Sequence, residues 1–138
     1  MTAYLLDTNF CIHFIRGRAW ARSALARVRV TDVALSAVTV GELHEGAHRS
    51  DHPTQELART EAFLKPFHVI PLGREEAMAW GRLEARLRKD GKPIEAEEAM
   101  IAATAQQHGL TLVTGNLRHF GRIKGLPTVD WEQHPPGS

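Results

Sequence analysis

Five short apolar or β-branched runs punctuate this chain, at residues 4–6, 33–35, 68–72, 110–114 and 128–130, and a segment of helical character parts each from the next. Strands of that length cannot turn back on one another across an intervening helix. They must be joined by crossovers, which places them side by side in a mainly parallel sheet with helices packed on its faces. Such sheets take their ligands beyond the carboxyl ends of the strands.

The helical segments have their own punctuation. Asp7 stops the first run, and Thr8 and Asn9 supply cap-forming side chains ahead of Phe10, Ile12, Phe14 and Ile15. Further helices are predicted at 19–29, 39–49, 54–64 after the break at Asp51 to Pro53, 74–90 and 95–108, with a short turn or helix at 116–120. In the 74–90 helix, Ala77, Trp80, Leu83 and Leu87 repeat at helical spacing, and Gly91 ends it. No internal repeat or low-complexity segment interrupts the pattern.

At 138 residues with 43% hydrophobic content, the chain is sized for one domain, expected over 1–134, with 135–138 a disordered tail. Lys plus Arg number 17 against 16 for Asp plus Glu, so any pull toward nucleic acid must come from a local patch. The lone cysteine, Cys11, excludes an internal disulfide, suits a reducing cytoplasm and reads as a small packing residue. The amino terminus lacks a basic segment leading into a long apolar run, and no stretch reaches the length of a membrane span, so a cytoplasmic protein is expected.

Four side chains stand where that sheet would bind a ligand. Asp7 ends the first strand, Asn116 follows the fourth, and Glu42 and Glu98 lie in the first turns of helices that can start on the same side. Unpaired carboxylates beside apolar strands are expensive to desolvate, and gathered together they call for a cation. Oxygen donors without cysteine or histidine favour magnesium or manganese over zinc, and such an ion activates water for phosphodiester hydrolysis. Each residue also has a local explanation. Asp7 caps a helix, Glu42 completes a capping box with Thr39, Glu98 is one of three glutamates (Glu95, Glu97, Glu98) complementing a helix dipole, and Asn116 suits a tight turn.

Read jointly, the motifs resemble the PIN-domain family. They are Tyr4-Leu-Leu-Asp-Thr-Asn9, Ser36-Ala-Val-Thr-Val-Gly-Glu-Leu43, Pro93-Ile94 ahead of Glu98, Met100-Ile-Ala-Ala-Thr-Ala105, and Leu110-Thr-Leu-Val-Thr-Gly-Asn116 with Arg118-His119-Phe120. With Gly125-Leu126-Pro127 and Asp130-Trp131 closing the pattern, the likeness is to the VapC-type toxins of bacterial toxin–antitoxin pairs. The resemblance implies an α/β, PIN-like three-layer sandwich with a mainly parallel central sheet of four to five short strands. It also implies a magnesium- or manganese-dependent endoribonuclease that inhibits translation and growth, forms a homodimer, and is neutralised by a VapB-type antitoxin in a larger complex that reaches operator DNA only through the antitoxin. Carried over by position, Asp7, Glu42 and Glu98 hold metal, Asn116 supports the metal's waters, and Thr8 and Thr114 assist. Two positions depart from the family pattern: Glu98 replaces the usual aspartate, and His119 stands where many relatives carry a fourth acid. A domain weakened by Glu98, which mainly binds antitoxin or RNA, and a phosphodiesterase for another nucleic acid are the alternatives.

RNA needs cations near such an acidic site. Arg16, Arg18 and Arg22 follow the Asp7 helix, and Arg82, Arg86 and Lys89 repeat along one face of the 74–90 helix. That second set reads more readily as a solvated face, and the first set is the better candidate for RNA contact. His44, His48 and His52 resemble a zinc set, but Pro53 and the polar turn before it argue against a continuous helix carrying all three. Trp20, Trp80 and Trp131 are read as core or interface residues. Leu25, Val28, Leu57, Phe63 and Leu64 are expected to offer apolar surface to an antitoxin.

Overall fold

A computed structural model describes residues 2–137. Among them, five strands form one all-parallel sheet: β1 (Tyr4–Leu6), β2 (Val33–Ser36), β3 (His68–Ile70), β4 (Thr111–Val113) and β5 (Thr128–Val129), in the order β3-β2-β1-β4-β5. The connecting helices are α1 (Thr8–Ile15), α2 (Ala19–Ala26), α3 (Ala37–Arg49), α4 (Pro53–Leu64), α5 (Arg74–Lys89), α6 (Ala96–Gln107) and α7 (Leu117–Phe120).

The pleat divides the core in two. Leu5 pairs with Ala34 and Leu112, and these three point to one face with Ala79, Leu83 and Leu87 of α5 and Ala99, Ala102 and Ala103 of α6. Leu6, Leu35 and Val113 point to the other, against Phe10 and Cys11 of α1, Leu43 of α3 and Phe63 of α4. Both faces are covered, as an all-parallel sheet requires. The result is the expected three-layer sandwich. Among the described residues, no helix is long and apolar enough to cross a membrane.

Local chemistry explains where element limits differ from the sequence reading. Helix α3 starts at Ala37, because the Ser36 hydroxyl accepts from the Val38 amide at 3.1 Å and caps it; Thr39 is therefore not the cap. Helix α2 ends at Ala26, since the Asp32 carboxylate accepts from the Arg29 amide at 3.1 Å and winds residues Val30–Asp32 into a 3-10 turn. On α5 the buried stripe is Ala79, Leu83 and Leu87, while Ala77 is exposed. Phe63 and Leu64 are buried in the second core cluster, with Leu25 and Val28 packed against it, so these residues are not surplus apolar surface. Of the tail expected to be disordered, residues 135–137 are placed, and the Pro136 carbonyl accepts from Arg27 at 3.3 Å; Ser138 lies outside the described residues.

Candidate active site

The chain winds from β1 to β2 on one side, whereas β4 joins β1 on the other. That reversal opens a crevice beyond Leu6 and Val113. Asp7 and Thr114 are the first residues past those strands, tied together where the Asp7 amide donates to the Val113 carbonyl at 3.0 Å.

Asp7 is 3% exposed. Its Oδ1 accepts from the Phe10 amide at 2.7 Å, so it caps α1 as well as facing the crevice. Burial raises its carboxyl from 3.8 to about 6; hydrogen bonds from the Thr114 side chain and the Phe10 backbone oppose the rise, and the carboxylates of Glu98 and Glu42 add to it. The folded chain thus holds a negative charge in a place that resists one.

Glu42 sits one turn into α3 and is held from across the crevice. The Thr8 hydroxyl lies 2.6 Å from Glu42 Oε1 and 3.1 Å from the Thr39 hydroxyl. With one proton to give, Thr8 serves the carboxylate, and Thr39 completes the chain. This tie replaces the capping box that sequence suggested for Glu42 and Thr39.

Glu98 caps α6 and also meets Asn116 and His119 across the crevice. Its Oε1 accepts from the Glu95 amide at 3.2 Å, capping α6, while Asn116 Nδ2 donates to Oε2 at 2.8 Å. His119 Nδ1 stands 2.8 and 3.0 Å from the two carboxylate oxygens. Asn116 is placed for this by its own turn: its amide donates to Thr114 Oγ1 at 2.9 Å, and its side-chain oxygen accepts from the His119 amide at 3.4 Å, capping α7. The imidazole that replaces a fourth acid is therefore a partner of Glu98.

Asp7, Glu42 and Glu98 line one cleft of about 350 Å³. Glu45, Glu95 and Glu97 line it as well, as does Arg49, which is ion-paired with Glu45. Sequence reading passed over Glu45 and Arg49, although Glu42, Glu45 and Arg49 follow helical spacing along one face of α3. Of the arginines proposed near the site, Arg16 borders a separate groove of about 570 Å³ between α1, α3 and α4 that shares Glu42, Gly46 and Arg49 with the cleft. Arg22 is occupied locally, with its Nε 3.2 Å from the Phe14 carbonyl and its guanidinium 5.1 Å from the Phe14 ring. Arg18 is exposed at the start of α2, and Arg82 and Arg86 line a hollow on the α5–α6 side rather than the cleft. His44 is paired with Glu61 at 2.5 Å.

Among the described residues, no three His, Cys, Asp or Glu side chains form a ready coordination shell. The hydrogen bonds give the reason: Glu42 is turned onto Thr8 and Glu98 onto Asn116 and His119. A magnesium ion does not need such a shell, because it keeps several waters and is held through one or two carboxylates. The all-oxygen donor set, and the charge that Asp7 holds against desolvation, fit a hard divalent cation.

Known proteins resemble this chain over most of its length. The PIN domain model matches residues 4–126. Ribonuclease VapC2 of Haemophilus influenzae is 35% identical over 131 residues, 95% of this chain and 99% of the relative. The tRNA(fMet)-specific endonuclease VapC of Shigella flexneri is 34% identical over 131 residues, with the same shares covered. Among solved structures, the DNA-bound VapBC complex of Salmonella typhimurium contains a chain that superimposes with a TM-score of 0.90 at 34% identity, covering 95% of this chain and 99% of that one. With the family model matching residues 4–126, and with relatives and fold alike over nearly its whole length, the chain belongs to the PIN-domain family, among the VapC-type members.

Proposed function

We propose that this protein is a divalent-metal-dependent endoribonuclease toxin of a VapBC-type pair, using Mg2+ or Mn2+ to hydrolyse RNA phosphodiester bonds and so arrest translation and growth. The observation that carries the reading is Asp7, buried at the switch point of the sheet with its carboxyl raised to about 6 beside Glu98 and Glu42. RNA is favoured as substrate because the relatives from Haemophilus influenzae and Shigella flexneri are named as a ribonuclease and a tRNA-specific endonuclease.

Asp7 and Glu98 would hold the ion, with Glu42 completing the acidic wall. Bound there, the metal would lower the pKa of a water for attack on phosphorus and offset charge on the phosphoryl oxygens. The chain's own contribution is orientation. Thr8 fixes Glu42, Asn116 and His119 fix Glu98, and the α1 amide of Phe10 fixes Asp7. Side chains already locked by hydrogen bonds need little rearrangement when substrate arrives.

A VapB-type antitoxin is the proposed inhibitor, supported by the toxin–antitoxin complexes among the structural relatives. The 570 Å³ groove beside α1, α3 and α4 is the surface we assign to it. A segment lying there reaches Glu42, so a basic side chain carried on it competes with the metal by charge. A homodimer, and contact with operator DNA through the antitoxin alone, complete the proposal.

One observation favours a second reading. Glu98 is engaged by Glu95, Asn116 and His119 together, which would weaken its grip on a cation and leave a domain that binds RNA without cutting it. Antitoxin-free protein incubated with total RNA and Mg2+ or Mn2+, beside EDTA, Asp7→Ala and Glu98→Asp, separates the two. Discrete cleavage lost with EDTA and in Asp7→Ala supports the nuclease. A silent parent with an active Glu98→Asp variant supports the weakened site, and silence in both refutes cleavage.

A further inference from the structure

The cleft that would cut RNA is poorly suited to attracting it. Its walls carry Asp7, Glu42, Glu45, Glu95, Glu97 and Glu98, and the cation among them, Arg49, is paired with Glu45. A polyanion approaching this cleft meets like charge, so its affinity must come from elsewhere on the surface.

On the α5–α6 side lies a surface of the opposite character. A hollow of about 370 Å³ is bordered by Arg82 and Arg86 of α5, Lys92 of the α5–α6 turn, and Arg122 and Lys124 after α7. A second, shallower hollow of about 700 Å³ shares Lys92 and Arg122 and extends to Leu117 and Arg118 of α7. Together they present six cations and one carboxylate, Asp90, on a chain whose formal net charge is only +1. Four arginines elsewhere, Arg29, Arg49, Arg59 and Arg88, are ion-paired, whereas none of these six cations joins an ion pair among the described residues. Arg122 donates to the Pro93 carbonyl at 2.8 Å, which ties the turn bearing Lys92 to α7, and the other five are exposed.

The two hollows share Lys92 and Arg122, and the second reaches Arg118, two residues along the chain from Asn116, the side chain that positions Glu98. Among the described residues, no aromatic side chain lines either hollow, so there is no platform for stacking bases. Cations without stacking partners contact phosphates and position a strand without reading its sequence. We infer that the surface running from Arg118 through Lys92 and Arg122 to Arg82, Arg86 and Lys124 is a backbone-binding track for single-stranded RNA that carries the strand flanking the scissile phosphate. The inference rests on the ribonuclease reading of the cleft, and it assigns capture and cutting to separate surfaces.

Binding of a labelled 20-nucleotide RNA, followed by fluorescence anisotropy in EDTA across a KCl series, tests the track without requiring cleavage. Two double variants each remove two exposed cations, Arg82→Gln with Arg86→Gln and Lys92→Gln with Lys124→Gln. Lys65→Gln with Arg74→Gln removes the same charge off the track. Each phosphate contact contributes about 0.7 to the salt slope of single-stranded binding, so each track variant should lower the slope by about 1.4 and weaken binding at 0.15 M salt about tenfold. The off-track variant should bind like the parent, and all three should melt with it. Unchanged affinity and slope in both track variants overturns the inference, as does an equal loss in the off-track variant. So does loss of antitoxin binding with RNA binding intact, which would make this a protein-docking surface. Track-dependent RNA binding by a protein that cleaves nothing under Mg2+ or Mn2+ would instead refute the ribonuclease reading and leave the track standing.

Discussion

Replacing Asp7 by Asn should make the metal-free protein more stable while abolishing cleavage. The carboxyl titrates near 6 in the folded chain against 3.8 for the free group, so the folded state prefers the protonated form. Its charge therefore opposes folding fully above pH 6, progressively less down to about pH 4, and not at all below. A rise from 3.8 to about 6 corresponds to roughly 3 kcal/mol. Asparagine keeps an oxygen to accept from the Phe10 amide, as Asp7 Oδ1 does at 2.7 Å. Its new amide donor is not guaranteed a partner, and allowing about 1 kcal/mol for that leaves a gain of about 2 kcal/mol. For a chain of this size that is about 6 °C in Tm. Differential scanning calorimetry in EDTA at pH 8 and pH 4.5 should show the gain at the first pH and little or none at the second. Adding Mg2+ at pH 8 should raise the parent's Tm and leave the variant's unchanged. A variant no more stable than the parent at pH 8, or a gain that persists undiminished at pH 4.5, would mean that the buried charge of Asp7 does not oppose folding.

Thr8→Val removes the 2.6 Å tie to Glu42 and should slow cleavage while lowering stability by about 1 kcal/mol, read from initial rates on a defined RNA and from urea melts. Glu98→Gln retains an oxygen for the Glu95 amide but lacks the negative charge, so the fold should hold while affinity for Mn2+, followed by isothermal titration, falls at least tenfold. Leu112→Ala, at a fully buried position in the central strands, should cost about 3 kcal/mol in chemical denaturation without altering metal affinity per folded molecule.

The fold was largely legible because its signals are local. Short apolar runs such as Tyr4–Leu6, stopped by Asp7 and separated by capped helices, leave a parallel sheet as the natural arrangement. The four crevice residues were legible for a related reason, since strand ends and first helical turns are where such a sheet binds ligands. Pairing across the crevice was not. The tie from Thr8 to Glu42 spans 34 residues and that from His119 to Glu98 spans 21, and no periodicity reports contacts at such separations. The same limit explains the basic surface. Arg82 and Arg86 showed a helical spacing, but Lys92, Arg118, Arg122 and Lys124 join them only once α7 folds back against the turn before α6. Phe63 and Leu64 misled in the opposite direction, because an apolar residue in sequence does not reveal whether a core or a partner covers it.

In the proposed mechanism, a divalent ion held at Asp7 and Glu98 powers RNA hydrolysis. Mn2+ titrated into antitoxin-free protein, with binding followed by electron paramagnetic resonance and RNA cleavage sampled from the same tubes, tests it most directly. The expected result is saturable binding, with cleavage rising along the same curve and both lost in Asp7→Asn. Cleavage that persists in EDTA, or Mn2+ binding that Asp7→Asn leaves unchanged, would contradict it.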